Sequence, residues 1–348
     1  MAKYQGTLLF ALVLSFILAG CGASQPAAGE GSQGEVHLIL GAYTTPREAY
    51  AEIVPLFQAH WLEETGQTVI FEESYLGSGA QSRAVVEGFE ADVVALSLEA
   101  DVTRIADAGL ITHDWKAVGY NGMVSTSVVV FAVRPGNPLG IADWADLAEP
   151  GVEILTPNPA TSGGAMWNVL SLYGAALRGH VAGVPAEDPE AAREFLTAVL
   201  RNVIVMDKGA RESITNYEQG VGDLAITYEN EILVGQQAGN DYEIVFPASS
   251  ILIENPAAVI DAYVDKHGTR EVAEAFVDFL STKEAQEIFA QHGLRSVDPD
   301  VAAATADQYP PLEDIFTVEF FGGWPQATED FFSENGIFNQ AIQQAQGQ

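Results

Sequence analysis

A chain of 348 residues, 48% hydrophobic and 18% charged, has the apolar content of a packed globular protein and the length of about two domains, which excludes a disordered or repeat-only chain. Its 15 basic and 48 acidic residues leave a formal net charge of −33. That is too negative to neutralise nucleic-acid phosphates, and it leaves no Lys/Arg cluster to dock on an anionic membrane surface.

In chain order, Lys3 precedes an apolar run over 8–19 that is short for a bilayer span and has the length of a secretory h-region. The run ends in Leu18, Ala19, Gly20 and Cys21, small residues ahead of a cysteine that resemble the bacterial lipobox. Residues 1–20 are therefore expected to be a signal peptide, with Cys21 lipidated as the mature first residue. An ordinary signal peptide cut elsewhere, leaving a free thiol, is the alternative. Residues 21–35 lack apolar periodicity and read as a flexible tether holding a folded body outside the membrane, periplasmic or at the cell surface. Cys21 is the single cysteine, so neither an intrachain disulfide nor a thiolate metal cluster can form.

From Val36 onward, β-rich runs at 36–40, 68–72, 92–96, 127–133, 152–156, 203–206, 223–227 and 243–246 alternate with helical stretches. This predicts an α/β fold with largely parallel sheets. Pro46 stands at an expected first helical position, and Tyr50, Ile53, Phe57 and Trp61 then recur at helical spacing. A second helix over 270–279 places Val272, Phe276 and Phe279 on one face. The stretches 127–133 and 243–252 have the character of hinge crossings. They would combine 36–127 with 248–348 in one lobe and leave 128–247 as the other; two contiguous domains split near Pro150 are the alternative.

Catalytic chemistry finds little support. His37, His60, His113, His180, His267 and His292 are scattered, without metal-ligand spacing. No P-loop or dinucleotide fingerprint is present, so no cofactor is expected. Ser78 and Ser162 lie in Gly/Ser turns that do not match Gly-x-Ser-x-Gly, and no histidine accompanies either. A secreted serine hydrolase using one of them is the alternative from another function class, and it would need a base beside the serine.

What recurs is a strand, a small-residue turn and a helix: 68–72 into Gly77, Ser78 and Gly79; 152–156 into Ser162, Gly163 and Gly164; and 203–206 into Gly209 and Ala210. A helix start exposes unpaired N–H groups and the positive end of the macrodipole, and glycine lets an anion approach closely. Three such starts converging across a cleft would hold a small dianion without a basic side chain. The acidic surface does not forbid this, because the Debye length at physiological salt is about 8 Å and local dipoles then decide.

Ordered strings carry a family resemblance over nearly the whole body. They include Pro46-Arg47-Glu48, Gly77-Ser78-Gly79, Thr156-Pro157-Asn158-Pro159, Ser162-Gly163-Gly164-Ala165, Trp167-Asn168, Gly209-Ala210-Arg211, Glu229-Asn230-Glu231 and Phe321-Gly322-Gly323-Trp324. The chain resembles the sulfate-binding proteins of bacterial ABC importers, a branch of the type II periplasmic binding proteins. The resemblance implies a two-lobed fold, each lobe a mostly parallel sheet flanked by helices, with two hinge crossovers. It implies a monomeric receptor that holds a dehydrated oxyanion between the lobes and delivers it to a membrane permease.

Carried over by motif, the ligand-binding positions are Ser78, Ser162, Gly163, Gly164 and Ala210. Arg211 and Gly79 would order the loops behind them. Two positions depart from the family pattern: Tyr228 stands where the family has an indole donor, and Thr44 where it has an acidic residue. Losing that carboxylate disfavours a protonated phosphate, whereas Tyr228 would admit thiosulfate or molybdate. Trp144, Trp167 and Trp324 are expected to pack rather than to touch ligand. A sensor or adhesion lipoprotein on the same fold is left open by these residues.

Overall fold

The computed structural model describes residues 34–347. The expectations for 1–20 and Cys21, and nearly all of those for 21–35, lie outside the described residues; Glu35 already opens the first strand.

Ten strands form one sheet, eight of them in a single path. They are β1 (Glu35–Tyr43), β2 (Thr68–Leu76), β3 (Val93–Ala95), β4 (Met123–Val133), β5 (Ile154–Pro157), β6 (Val203–Asp207), β7 (Leu224–Tyr228), β8 (Glu243–Val245), β9 (Ser249–Val259) and β10 (Asp314–Phe316). Their order is β2-β1-β3-β9-β4-β7-β5-β6, with β8 on β4 and β10 on β9. Both ends are parallel, β1 with β2 and β3 at one and β5 with β6 and β7 at the other. The middle is antiparallel, because β4 and β9 pair with each other and each continues into both half-sheets. All eight predicted strands are present.

Strand β4 shows why the sheet can bend here without exposing itself. Val129, Phe131 and Val133 enter one core of the second half, while Val128, Val130 and Ala132 enter the core on the opposite face. A strand buried on both faces reads as a continuous apolar run, with no polar alternation. Strand β9 was less legible, since only its start falls in the stretch expected to cross over. Its later residues include Glu254, Asn255 and Pro256, poor strand formers. Pro256 is tolerated because it sits opposite Met123, where the β4 register shifts and the ladder is already interrupted.

Helix α1 (Arg47–Thr65) buries Tyr50, Ile53, Phe57 and Trp61, as their spacing predicts, with Pro46 one residue earlier than expected, at the N-cap. The Arg270–Leu280 helix buries Val272, Phe276 and Phe279 and meets α1 through the Phe57 and Phe276 rings, 5.1 Å apart. The C-terminal stretch takes a different place from the one its chain position implied. Phe316, Trp324, Phe331 and Phe338 pack into the core of the second half, around Trp167 and Tyr173. Gly174 makes room, since a Cβ there would stand 2.3 Å from the Phe316 ring. Arg178 pins the stretch by donating from Nε to Asp314 Oδ2 at 2.7 Å, which holds that carboxyl down to about 2.

Candidate anion-binding site

The carboxyl ends of the parallel strands in both half-sheets face each other, the place where open α/β sheets bind ligands. Four helices start there: α2 (Ser78–Val86), α4 (Gly163–Leu177), α6 (Ala210–Glu218) and α7 (Glu229–Gln237); α3 (Glu99–Asp107) and α5 (Pro189–Arg201) come between them in the chain. Between the four starts lies a narrow cavity of about 10 Å³. Thr44, Ser78, Ser162, Gly164, Ala210 and Tyr228 all line it. So do Gly77 of the first turn and Tyr43, Thr45 and Ser97, three positions to which the motifs gave no role. Gly163 stands just behind, against Ser97, and Gly79 and Arg211 lie outside the lining.

The helix starts supply the chemistry. The first-turn amides at Ser78 and Gly79, at Gly163 and Gly164, and at Ala210 have no intrahelical carbonyl to bond and take no other acceptor among the described residues. Ser162 caps α4, its Oγ accepting from Ala165 N at 3.4 Å, a long bond that leaves the hydroxyl proton uncommitted. Ser78 is different. Its hydroxyl donates to Asp101 Oδ2 at 2.6 Å and accepts from Ser97 N at 2.9 Å, so only its amide is available. Neither serine meets a histidine or lysine base among the described residues.

Contacts between the half-sheets are close at this point. Ala80 N donates to Thr161 O at 3.2 Å across the cleft. A Cβ on Gly77 would lie 2.6 Å from Thr161 O and 2.8 Å from Lys208 O, so only glycine permits that approach. Ser97 ties both sides together. Its Oγ bonds Tyr228 OH at 2.6 Å, and its carbonyl accepts from Trp167 Nε1 at 3.0 Å and Asn255 Nδ2 at 2.9 Å. Burial pushes the Tyr228 phenol well above its ordinary pKa, which keeps it protonated as a hydrogen-bond donor. Trp144 and Trp324 are buried packing residues, and the Trp324 ring packs edge-on against Trp167 at 4.6 Å.

The start of α7 explains the Glu229-Asn230-Glu231 string. Glu229, fully buried, accepts two bonds from Arg295 at 2.7 and 2.9 Å. Glu231 accepts from Arg211 Nε at 2.6 Å. Arg211 then reaches across to the first half, donating from Nη2 to Glu48 Oε2 at 2.8 Å and Thr45 O at 3.2 Å. Burial opposes ionisation of Glu48, but Arg211 outweighs it and holds the carboxyl below its usual range. Arg211 is thus committed to carboxylates beside the cavity. Among the described residues, no basic side chain lines the cavity itself.

A narrow cavity lined by free helix-start amides and hydroxyls, set between two half-sheets joined by two crossing strands, defines a two-lobed solute-binding protein. The model of the bacterial extracellular solute-binding protein family matches residues 38–295, and the chain belongs to that family. It is 43% identical over 323 residues to the sulfate-binding protein of Synechocystis sp., covering 92% of this chain and 90% of the relative. It is 42% identical over 311 residues to the sulfate-binding protein of Escherichia coli, covering 88% and 93%. Among solved structures, the sulfate-binding protein SubI from Mycobacterium tuberculosis superposes with a TM-score of 0.78 at 37% identity, over 86% of this chain and 100% of that one.

Proposed function

We propose that the chain is an extracytoplasmic receptor that captures sulfate between its lobes and hands it to the permease of an ABC importer, without covalent chemistry. The observation that carries this reading is the convergence of three helix starts on one cavity that no cationic side chain lines. A dianion buried there would lose its hydration, so each oxygen needs a donor. Amides of Ser78, Gly163, Gly164 and Ala210, the Ser162 hydroxyl, the Thr44 backbone and the Ser97–Tyr228 pair supply them. Preorganised dipoles of this kind bind without rearranging, which is where the affinity would come from.

The lobes of this reading meet at β4 and β9, with 36–127 and most of the chain after 248 on one side, and 128–247 with the aromatic C-terminal stretch on the other. Arg211 would clasp the cleft from behind Ala210, bridging Glu231 and Glu48 only when the lobes are closed.

Isothermal titration calorimetry on ligand-free protein tests the receptor reading. Sulfate is expected to bind one to one, and Ser162→Ala to weaken it about tenfold, the size of one lost charge-assisted bond. Thiosulfate or molybdate binding in place of sulfate would keep the receptor and change the ligand, with Tyr228 and Thr44 as the reason. Silence from these oxyanions and phosphate would favour a sensor or adhesion role.

Lipid anchoring at Cys21 belongs to the same reading, supported by the h-region and the small residues before the cysteine. On phase separation with a non-ionic detergent, the full-length protein made in bacteria is expected in the detergent phase and Cys21→Ser in the aqueous phase. Equal partitioning of the two would rule the anchor out.

A further inference from the structure

We infer that the phenolic hydroxyl of Tyr43 is a direct hydrogen-bond donor to the bound oxyanion. The inference rests on the receptor reading above and adds to it a residue to which the motifs assign no role. Tyr43 closes β1, so its backbone belongs to the first half, yet its ring is buried in the core of the second half beside Tyr228, with ring centroids 6.4 Å apart. It spans the cleft.

Its hydroxyl and Thr45 Oγ1 are the two buried side-chain oxygens of the cavity lining that lack a partner among the described residues, and the hydroxyl is the only phenol of the pair. Tyr43 is 4% exposed and lines the cavity, and its hydroxyl oxygen is buried without a hydrogen-bond partner. Buried hydroxyls are almost always paired, and an orphan costs free energy that the surroundings do not return. An oxyanion held in the cavity that Tyr43 lines would supply the acceptor.

Counting protons sharpens the point. Ser97 and Tyr228 carry two hydroxyl protons, and their mutual bond consumes one whichever oxygen donates. The pair therefore offers the cavity a single donor, as the family's indole would. Tyr43 adds a second, already neutral because burial and the neighbouring Tyr228 and Tyr50 push its ionisation well above the ordinary value. A neutral phenol facing a fully ionised tetrahedral oxyanion is a complementary pair.

The same geometry couples binding to closure. With the cleft open, the Tyr43 hydroxyl meets water. With the cleft closed and empty, it meets nothing. Closure is then favourable only when an oxyanion replaces the lost water.

Tyr43→Phe removes the hydroxyl and keeps the ring, so packing is preserved. The sulfate Kd of the variant is expected to rise about tenfold relative to wild type. The melting temperature of the ligand-free protein should stay level or rise, because an unpaired group has been removed. A merely structural role would instead lower the ligand-free melting temperature and spare the Kd. Tyr228→Phe serves as a second variant and should still bind sulfate, through the proton left on Ser97. Sulfate binding by Tyr43→Phe within twofold of wild type overturns the inference while the receptor reading stands. Wild-type protein that binds neither sulfate, thiosulfate nor molybdate overturns both.

Discussion

Gly77→Ala is expected to weaken sulfate binding roughly thirtyfold to a hundredfold and to leave the fold intact. The backbone at Gly77, with φ −60° and ψ 139°, suits alanine as well as glycine, so the substitution imposes no conformational strain on the first half. The conflict lies across the cleft. The new Cβ would stand 2.6 Å from Thr161 O and 2.8 Å from Lys208 O, two backbone oxygens of the second half that have no side-chain torsion by which to move aside. Forcing an extra carbon into a closed contact costs about 2–3 kcal/mol, and about 1.4 kcal/mol is tenfold in affinity. Because the clash exists only with the lobes together, the ligand-free melting temperature should barely change while the calorimetric Kd rises. Gly79→Ala is the internal control. Two residues on, its Cβ would meet nothing nearer than 3.4 Å, and helical alanine is favoured over glycine, so its Kd should stay within about threefold of wild type. Equal effects of the two substitutions, or no effect of Gly77→Ala, would mean that the cleft does not close by this contact.

The helix starts are legible in the sequence because their chemistry is local. A turn such as Ser162-Gly163-Gly164 before an apolar helix carries its own signal, and all three turns in fact meet at one cavity. The same locality explains the strands, whose β-branched runs do not depend on distant partners. What escaped was everything that depends on which residues end up adjacent. Ser97 follows a three-residue strand with no motif around it, and its role as the knot between Tyr228, Trp167 and Asn255 exists only in three dimensions. Tyr43 reads as one more strand residue until its ring crosses into the opposite half. The packing of the C-terminal aromatics is illegible for a related reason: Phe316, Trp324, Phe331 and Phe338 are spaced as on one helix face but fall on a strand, a short helix, a π-helical turn and a final helix, so their spacing does not report the face they cover. Arg211 was expected behind the ligand and stands on carboxylates, but that one of them, Glu48, belongs to the other half was not legible from either string.

Arg295→Leu is expected to be the most destabilising of the single substitutions, and its cost should depend on pH with a definite sign. Glu229 is fully buried at the start of α7, with both carboxylate oxygens on the Arg295 guanidinium. Removing only the cation leaves a buried charge uncompensated, which costs roughly 3–5 kcal/mol. In a chain of this length that is of the order of 10 °C in melting temperature. Burial raises the Glu229 pKa above its ordinary 4.5 and Arg295 pulls against that rise, so the variant must raise it further. A carboxyl whose folded pKa lies above its unfolded value holds its proton more tightly when folded. Its penalty is therefore absent below about pH 4.5 and grows as pH climbs through the folded value. Calorimetric melting of ligand-free protein from pH 4 to pH 8 should show the two proteins converging at the acid end and diverging towards neutrality. Glu229→Gln added to Arg295→Leu should restore most of the loss at pH 7, since the charge itself is the cost. A deficit constant across that range would show that Arg295 acts by packing on the Tyr309 ring, 4.8 Å from its guanidinium carbon, rather than through the ion pair. The effect also reaches the site. Arg295 and Thr126 of β4 exchange backbone hydrogen bonds at 2.8 Å, so the guanidinium fixes Glu229, and with it the adjacent Tyr228, to the strand that joins the two lobes. Loosening that bond should weaken sulfate binding in step with stability at pH 7, and should weaken it least at the acid end, where Glu229 is neutral and needs no partner.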